Sequence, residues 1–510
     1  MKPRLTEQAP MLTAAILLTA GIALVSWRMP PVWISAAGMA VGTATAALSL
    51  RANRMVAAVS MAVAILFLGS ALTALHMRND SLPDGYAVYE LEISNDTYRR
   101  TGSKTLQGDA RIISHRDSDG IWHRIRGRVR IYADTTLHLS AGQRAVCRGR
   151  VRPFDGSDGY GAMMRRKGYA GRLYLSIDNI LQISDERPYA RLRELHRQAV
   201  AKIAALPLRA ENMPVAQALG TGETSLLERG QRAQYSRAGT AHLLALSGLH
   251  VGIVYLIINL LLKWLPLLSF GHIIRNGAAV ILLWSYVLST GMPPSAIRAA
   301  LMFSMLQISQ ATSADYAPLN ALAGAAFISL CVDPSLLFDA GFRLSYIAVA
   351  AIILCAVPLC RQFHISLKHA GNIFVKSLTS AINYIIDTIT VGFVATAATA
   401  PMVSHLFGVI PLAGIIAAPA AIVAAAATVA LTAIWIALPL GFAATQFGYA
   451  VDISAGAMNA ISEWLATRPW AAIEIRLSST ATAICYAVVI VALSLLTAIM
   501  NRQQKKPYRR

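Results

Sequence analysis

Residues 239–252, GTAHLLALSGLHVG, open an apolar run that continues to about Trp264, long enough to cross a bilayer. Yet the run carries His242, Ser247 and His250 where lipid favours leucine. No other stretch constrains the chain as strongly, because ionisable side chains at membrane depth face a bundle interior or a water-filled path. Taken as one helix at about 100° per residue, Gly239, Thr240, His242, Ser247 and His250 share an arc of roughly 160°. Gly248 and Gly252 fall on the other side, a small-xxx-small pair that lets a neighbouring helix come close. The spacing therefore predicts one polar face and one packed face. The plainer alternative has both histidines satisfying carbonyls of adjacent helices.

The setting is a membrane. Of 510 residues, 55% are hydrophobic and 14% charged, as in a polytopic protein with one polar insert. The net charge of +20 implies anionic partners, lipid headgroups or nucleic acid. An apolar run from Met11 to Trp27 comes after Lys2 and Arg4; a second begins near Val32 and ends near Leu50, and a third covers about 55–75. No small-residue cleavage site comes after the first run, so it reads as a retained helix. Lys2 and Arg4 before it, with Arg51 and Arg54 between the second and third, place those loops in the cytoplasm. The segment after the third helix is then extracytoplasmic. Of five cysteines, Cys147 stands alone in the polar region and no C-x-x-C spacing occurs.

Residues 78–180 alternate apolar and polar in short runs broken by Gly, Asp and Asn, the pattern of a small β domain. In IWHRIRGRVRIY, residues 121–132, Ile121, His123, Ile125, Gly127, Val129 and Ile131 take one face. Trp122, Arg124, Arg126, Arg128, Arg130 and Tyr132 take the other. A second run puts Arg148, Arg150 and Arg152 outward. Rows of like charge repel one another, and are easier to understand if an anion visits. Guanidinium groups flanked by aromatic rings suit phosphates and bases of a single strand; a solvated face, or one on anionic headgroups, is the alternative. Length and strand count fit a five-strand barrel of the OB type.

Residues 181–238 are charged and helix-compatible, the first part amphipathic, and Gly220 and Gly222 lack the GK[ST] ending of a phosphate loop. From 239 to 500 the chain is apolar runs with short breaks, at about 240–265, 272–291, 294–311, 317–332, 334–358, 380–408, 411–440 and 478–499. Segment 447–470 reads as an interfacial helix anchored by Trp464 and Trp470, and the basic tail 501–510 as cytoplasmic. Starting outside and ending inside needs an odd number of crossings, so at least one run is expected to be broken or re-entrant. Two more stretches repeat the anomaly of the first. TGMPPSAIRAALM places Ser295 and Arg298 after a Gly-x-Pro-Pro break, and an arginine there is costly unless paired or hydrated. DPSLLFDAGFRLSY places Asp339 and Arg343 four apart, the favourable order for a helical ion pair.

An enzyme is poorly supported. Ser247 and His250 lack a visible oxyanion hole, a third orienting group and the G-x-S-x-G elbow. His242 and His250 are eight apart, unlike the spacing of a helical zinc pair. No cofactor or metal site is expected.

The three motifs together resemble the ComEC family, the inner-membrane channel of bacterial DNA uptake. HLLALSGLHVGIV, GMPPSAIRAALM and DPSLLFDAGFRLSY match its signature blocks in order and spacing, with the likeness extending over 80–500, and GSDGYGAMMRRKGY at 156–169 resembles the end of its external OB domain. The family often carries glutamine where Arg343 stands and asparagine where Ala418 stands. Many members end in a β-lactamase-like metal nuclease domain, whereas here none of the eleven histidines forms an H-x-H pair. The resemblance implies a polytopic α-helical membrane protein with an extracytoplasmic all-β, OB-like domain after the third transmembrane helix. It divides as three helices (1–77), the β domain (78–180), connecting helices (181–238), the channel domain (239–500) and the tail. The implied function is passage of single-stranded DNA across the cytoplasmic membrane, with His242, Ser247, His250, Ser295, Arg298, Asp339 and Arg343 along the path. Implied partners are membrane lipids, a DNA receptor, a separate nuclease, a cytoplasmic motor or single-strand-binding protein, and a second subunit. The rival reading is a small-anion or lipid-linked transporter, or an intramembrane hydrolase built on Ser247 and His250.

Overall fold

The computed structural model describes residues 10–27, 32–49, 53–77, 79–184, 190–265, 271–312, 315–365, 373–438 and 441–491, with short gaps at 81, 84, 95–96, 100–104, 118, 141, 156–158 and 490. Lys2, Arg4, Arg51 and the tail lie outside these residues. Among the described residues the chain is mostly helical, and six helices are long and apolar enough to cross a membrane: Val32–Ser49, Arg54–His76, Gly271–Ser289, Ala340–Phe363, Ile373–Phe407 and Ala413–Ala437. This is a multi-pass membrane protein. It divides into two compact units, Met1–Glu194 with Ala323–Asp339, and Leu195–Leu322 with Ala340–Arg510.

The first unit begins with α1 (Pro10–Trp27), α2 (Val32–Ser49) and α3 (Arg54–His76). Asn53 caps α3 by accepting hydrogen bonds from the amides of Met55 and Val56. The helices meet through small residues. A Cβ on Gly21 would strike the Leu66 carbonyl, and one on Gly69 the Leu18 carbonyl, so α1 and α3 touch backbone to backbone. Between α2 and α3 the buried hydroxyls of Ser35 and Ser70 share a hydrogen bond of 2.7 Å.

The sheet of this unit comprises β1 (Ala87–Ile93), β2 (Tyr98–Arg99), β3 (Leu106–Arg116), β4 (Trp122–Ala133), β5 (Arg144–Gly149), β6 (Tyr169–Leu175) and β7 (Ile180–Ser184), with helix α4 (Gly159–Arg166) between β5 and β6. The strand order is β6-β4-β3-β1-β5-β7, with β2 beside β3. Strands β4 and β6 run parallel and the other pairs antiparallel. Just after β5 the chain pairs again with β6, Arg152 opposite Arg172, so the sheet curls back on itself. Tyr89, Leu91, Ile93, Ile112, Val129, Ile131, Cys147 and Leu173 fill its interior. The expectation of an all-β domain needs correction. The sheet is mixed and carries a helix, because alternation reveals the pleat of each strand but not its partners, and a parallel pair requires a crossover that α4 helps supply. Ile121 is 58% exposed and His123 is also exposed, so the inward row proper starts at Ile125.

The second unit is a bundle. Its elements are α5 (Ala190–Ala204), α6 (Met213–Thr221), α7 (Arg229–Arg237), α8 (Ala241–Leu244), α9 (Gly248–Leu261), α10 (Gly271–Ser289) and α11 (Pro294–Ala311); α12 (Pro318–Val332) and a 3-10 turn (Pro334–Phe338) intervene before α13 (Ala340–Ala351), which passes through a π turn into α14 (Val357–Phe363). Then come α15 (Ile373–Phe407), α16 (Ala413–Ala437) and α17 (Ala444–Ala466), with a small β8–β9 ladder, Ile410–Pro411 against Ala472–Ile473, and a last apolar helix Ser479–Val489. Helix α9 packs on α10, α11 and α16, and α16 on α17. Segment 447–470 is thus more than an interfacial helix: α17 buries Gly448, Val451, Ala455, Met458 and Leu465, while the Arg468 guanidinium covers the Trp464 ring at 4.4 Å.

Candidate functional site

The first motif is not one helix. Gly239 has φ of 74°, α8 ends after Leu244, and Ala245 and Ser247 are extended before α9 begins at Gly248. The single polar arc expected of 239–264 is therefore corrected: His242 and His250 belong to different helices. The reason is local chemistry. Ser247 caps α9, its Oγ accepting from the Leu249 amide, and His250 Nδ1 in turn receives the Ser247 amide at 3.3 Å. With 14 residues α9 is about 21 Å long, short of the roughly 30 Å of a hydrocarbon core. Non-helical backbone at such depth is tolerated where protein buries it or where it lines a cavity. A Cβ on Gly239 would lie 2.9 Å from both Cα and N of Gly414, so the break is held by two glycine backbones in contact.

The second motif breaks the same way. Gly291 and Met292 are both left-handed, at φ of 80° and 56°, before Pro293 and Pro294 start α11. Ser295 Oγ donates to the Leu246 carbonyl at 2.5 Å, tying the start of α11 to the gap ahead of α9. Two helix N-termini, each the positive end of a dipole, are joined here. Arg298 sits against them at 5% exposure. Its Nη2 lies 2.9 Å from where a Gly248 Cβ would stand, so the glycine makes room for the guanidinium. Nη1 donates to Ser345 Oγ on α13, and the Tyr346 ring centroid is 5.8 Å away. Among the described residues Arg298 Nε has no acceptor, and no carboxylate pairs with this arginine.

Gly248 and Gly252 both face α11, the second leaving Phe303 at 3.5 Å. Along the same α9–α11 seam, Gln307 Nε2 donates to Tyr255 Oη at 2.7 Å and to Asn259 Oδ1 at 3.1 Å, and Arg275 also reaches Asn259. Sequence reading missed Ser345, Tyr346, Tyr255, Asn259 and Gln307. Their only signal is polarity within apolar runs, which membrane helices often carry for packing alone.

The remaining motif residues fall elsewhere. His242 is exposed and holds the Gly239 carbonyl through Nδ1 at 2.9 Å. Asp339 lies ahead of α13 rather than within it, and its Oδ2 is 3.3 Å from Lys167 Nζ; Arg343 is on α13 and half-buried. Ser247 Oγ is 3.0 Å from His250 Nδ1, the contact a hydrolase would start from. Both groups are committed to capping α9, and among the described residues the buried His250 Nε2 has no hydrogen-bond partner and no third residue orients the ring.

On the sheet, β4 turns Arg124, Arg126, Arg128, Arg130 and Tyr132 away from the core, with Trp122 44% exposed. Arg130 pairs with Asp109 at 2.6 Å, and Arg128 lies over the Tyr169 ring at 4.5 Å. Opposite Arg130 in register stands Arg172, opposite Tyr132 stands Tyr174, and the two tyrosine rings stack at 5.2 Å. Burial and the Tyr160 hydroxyl push the Tyr132 phenol up to about 12, so it is a neutral ring. Arg148, Arg150 and Arg152 are exposed. Because Arg152 bridges to Arg172, the two rows read separately from the sequence meet at Arg172, a residue the sequence reading passed over.

Comparison with known proteins matches residues 219–500 to a family described as Competence protein. ComE operon protein 3 of Bacillus subtilis (strain 168) is 32% identical over 172 residues, 32% of this chain and 20% of that protein, so the likeness spans a fifth of the relative's length. No solved structure matches. The matched stretch holds both broken helices, Arg298 and Ser345, and covers more than half of the sequence: the chain belongs to the Competence protein family.

Proposed function

We propose that this protein conducts single-stranded DNA across the cytoplasmic membrane, the basic sheet gathering the strand outside and the α9–α11 seam passing it inward. The observation that carries this reading is Arg298. A buried cation with no carboxylate partner among the described residues, set where two helix N-termini converge, is costly unless an anion visits. Phosphates moving past satisfy it in turn, and one isolated arginine holds each weakly enough to release it. Membership of the Competence protein family and the motif resemblance to ComEC support the choice of substrate.

The sheet supports the outer half of the reading. Its order, closed through the Arg152–Arg172 bridge, runs β1-β3-β4-β6-β5, which supports reading it as a circuit of the OB kind, a fold whose second and third strands are the usual nucleic-acid face. Those strands are β3 and β4, which carry Arg111 and the arginine row. The positive-inside pattern supports placing this domain outside the cytoplasm. DNA would arrive from a receptor, a separate nuclease would remove the other strand, and a cytoplasmic motor or binding protein would draw the strand in. In a transformable host the test is deletion: labelled DNA should still accumulate at the cell surface while none reaches the cytoplasm. Undiminished entry would refute the proposal.

A further inference from the structure

At the foot of the sheet, beside the last turn of α3, lies a cavity of about 390 Å³ lined by Met77, Asn79, Pro153, Phe154, Arg165 and Tyr169. Phe154 and Tyr169 are each 6% exposed, and burial raises the Tyr169 phenol well above its ordinary range, so these two rings give the lining an uncharged aromatic part. Arg165 is exposed and stands among the lining residues. We propose that this cavity takes one unstacked nucleobase of the strand held by the arginine row, a reading that rests on the proposed DNA function.

Three features point to a base. The wall is continuous with the row, since Arg128 lies over the ring of Tyr169 at 4.5 Å. A strand whose phosphates track Arg130 and Arg128 therefore arrives at the cavity, and Arg165 meets its next phosphate. The rings of Phe154 and Tyr169 in the lining give the cavity an aromatic wall, which tolerates any sequence because every base has a π-face. Asn79 supplies polarity with fixed aim. Its Nδ2 donates to the Gly168 carbonyl at 3.1 Å and its Oδ1 accepts from the Arg128 amide at 3.3 Å. A carboxamide has two N–H donors and two acceptor lone pairs, so one of each is left for the edge of a base. A lipid headgroup would use Arg165 but neither the amide nor the link to the row.

The test uses the full chain in detergent and two labelled probes of equal length, an oligothymidylate and an abasic deoxyribose-phosphate oligomer. The base-bearing probe should bind about tenfold more tightly, the worth of one stacked base. Phe154→Leu, which keeps an apolar wall but removes the ring, should abolish that difference. As a measurement needing no variant, a single 2-aminopurine in the oligothymidylate should lose fluorescence on binding. Equal affinity for the two probes overturns the base pocket while leaving the arginine row intact as a phosphate surface; if the cavity then takes short-chain phosphatidylglycerol, it is a lipid site. Failure of both probes to bind at low salt removes the DNA reading of the sheet as well.

Discussion

At the scale of single residues, Gly248 and Gly252 separate two kinds of close packing. A methyl at 248 would meet Arg298 Nη2 at 2.9 Å, whereas one at 252 would meet Phe303 at an ordinary 3.5 Å. Gly248→Ala should therefore displace the guanidinium and reduce DNA entry severalfold at normal membrane levels, while Gly252→Ala stays near wild type; equal effects would sever Gly248 from Arg298. Ser247 tests the rival hydrolase. Asparagine caps a helix as well as serine does, so Ser247→Asn keeps α9 but removes the hydroxyl nucleophile. Retained DNA entry is expected, and its complete loss in a properly inserted protein would favour hydrolysis. Glu223 gives a pH signature. His196, whose Nε2 lies 3.7 Å away, is the main reason its carboxyl falls from 4.5 to about 2, with the Ser225 amide helping. A depressed carboxyl adds stability that is complete above about pH 4.5 and lost as pH falls toward 2. Thermal unfolding of Glu223→Gln should lack that acid limb; an unchanged limb would assign it to other groups.

Among elements, the sheet was the most legible. Period-two alternation over 122–133 named the outward arginines, because one buried face forces every second side chain out. What alternation lacks is information on partners, so the parallel β4–β6 pair and the meeting of both rows at Arg172 came only with the fold. The bundle shows the opposite fault. A run of about 25 apolar residues suggested one helix over 239–264, yet Ser247 ahead of Gly248 was a readable N-cap signal overridden by hydropathy. The third motif hid a division of labour: Asp339 pairs with Lys167 in the first unit, while Ser345 and Tyr346 attend Arg298 in the second. Element packing also predicts reactivity. Cys147 on β5 is fully buried and its thiol is pushed up to about 12 by that burial. Thiolate is the reacting form, so alkylation mapped by mass spectrometry should spare Cys147 until the sheet unfolds. Rapid labelling of the native protein would mean that β5 is not seated as described.

For the whole molecule, composition alone marked a membrane protein with a basic insert, and three short motifs pointed to its family. The site is an assembly of breaks. Gly239 against Gly414, Ser247 ahead of α9 and the Gly-Met-Pro-Pro turn each end or start a helix, and together they place two helix N-termini and one buried arginine in contact. None of those meetings is encoded in local spacing, since the partners are tens to hundreds of residues apart. The central claim is that Arg298, which no carboxylate among the described residues pairs with, is kept for nucleic-acid phosphates passing beside it. Arg298→Met keeps the length and apolar stem of the side chain while deleting its charge. With the variant at wild-type levels in the membrane, entry of labelled single strands should fall about tenfold or more, as expected for loss of a charge-assisted contact. Entry at the wild-type rate would contradict the account.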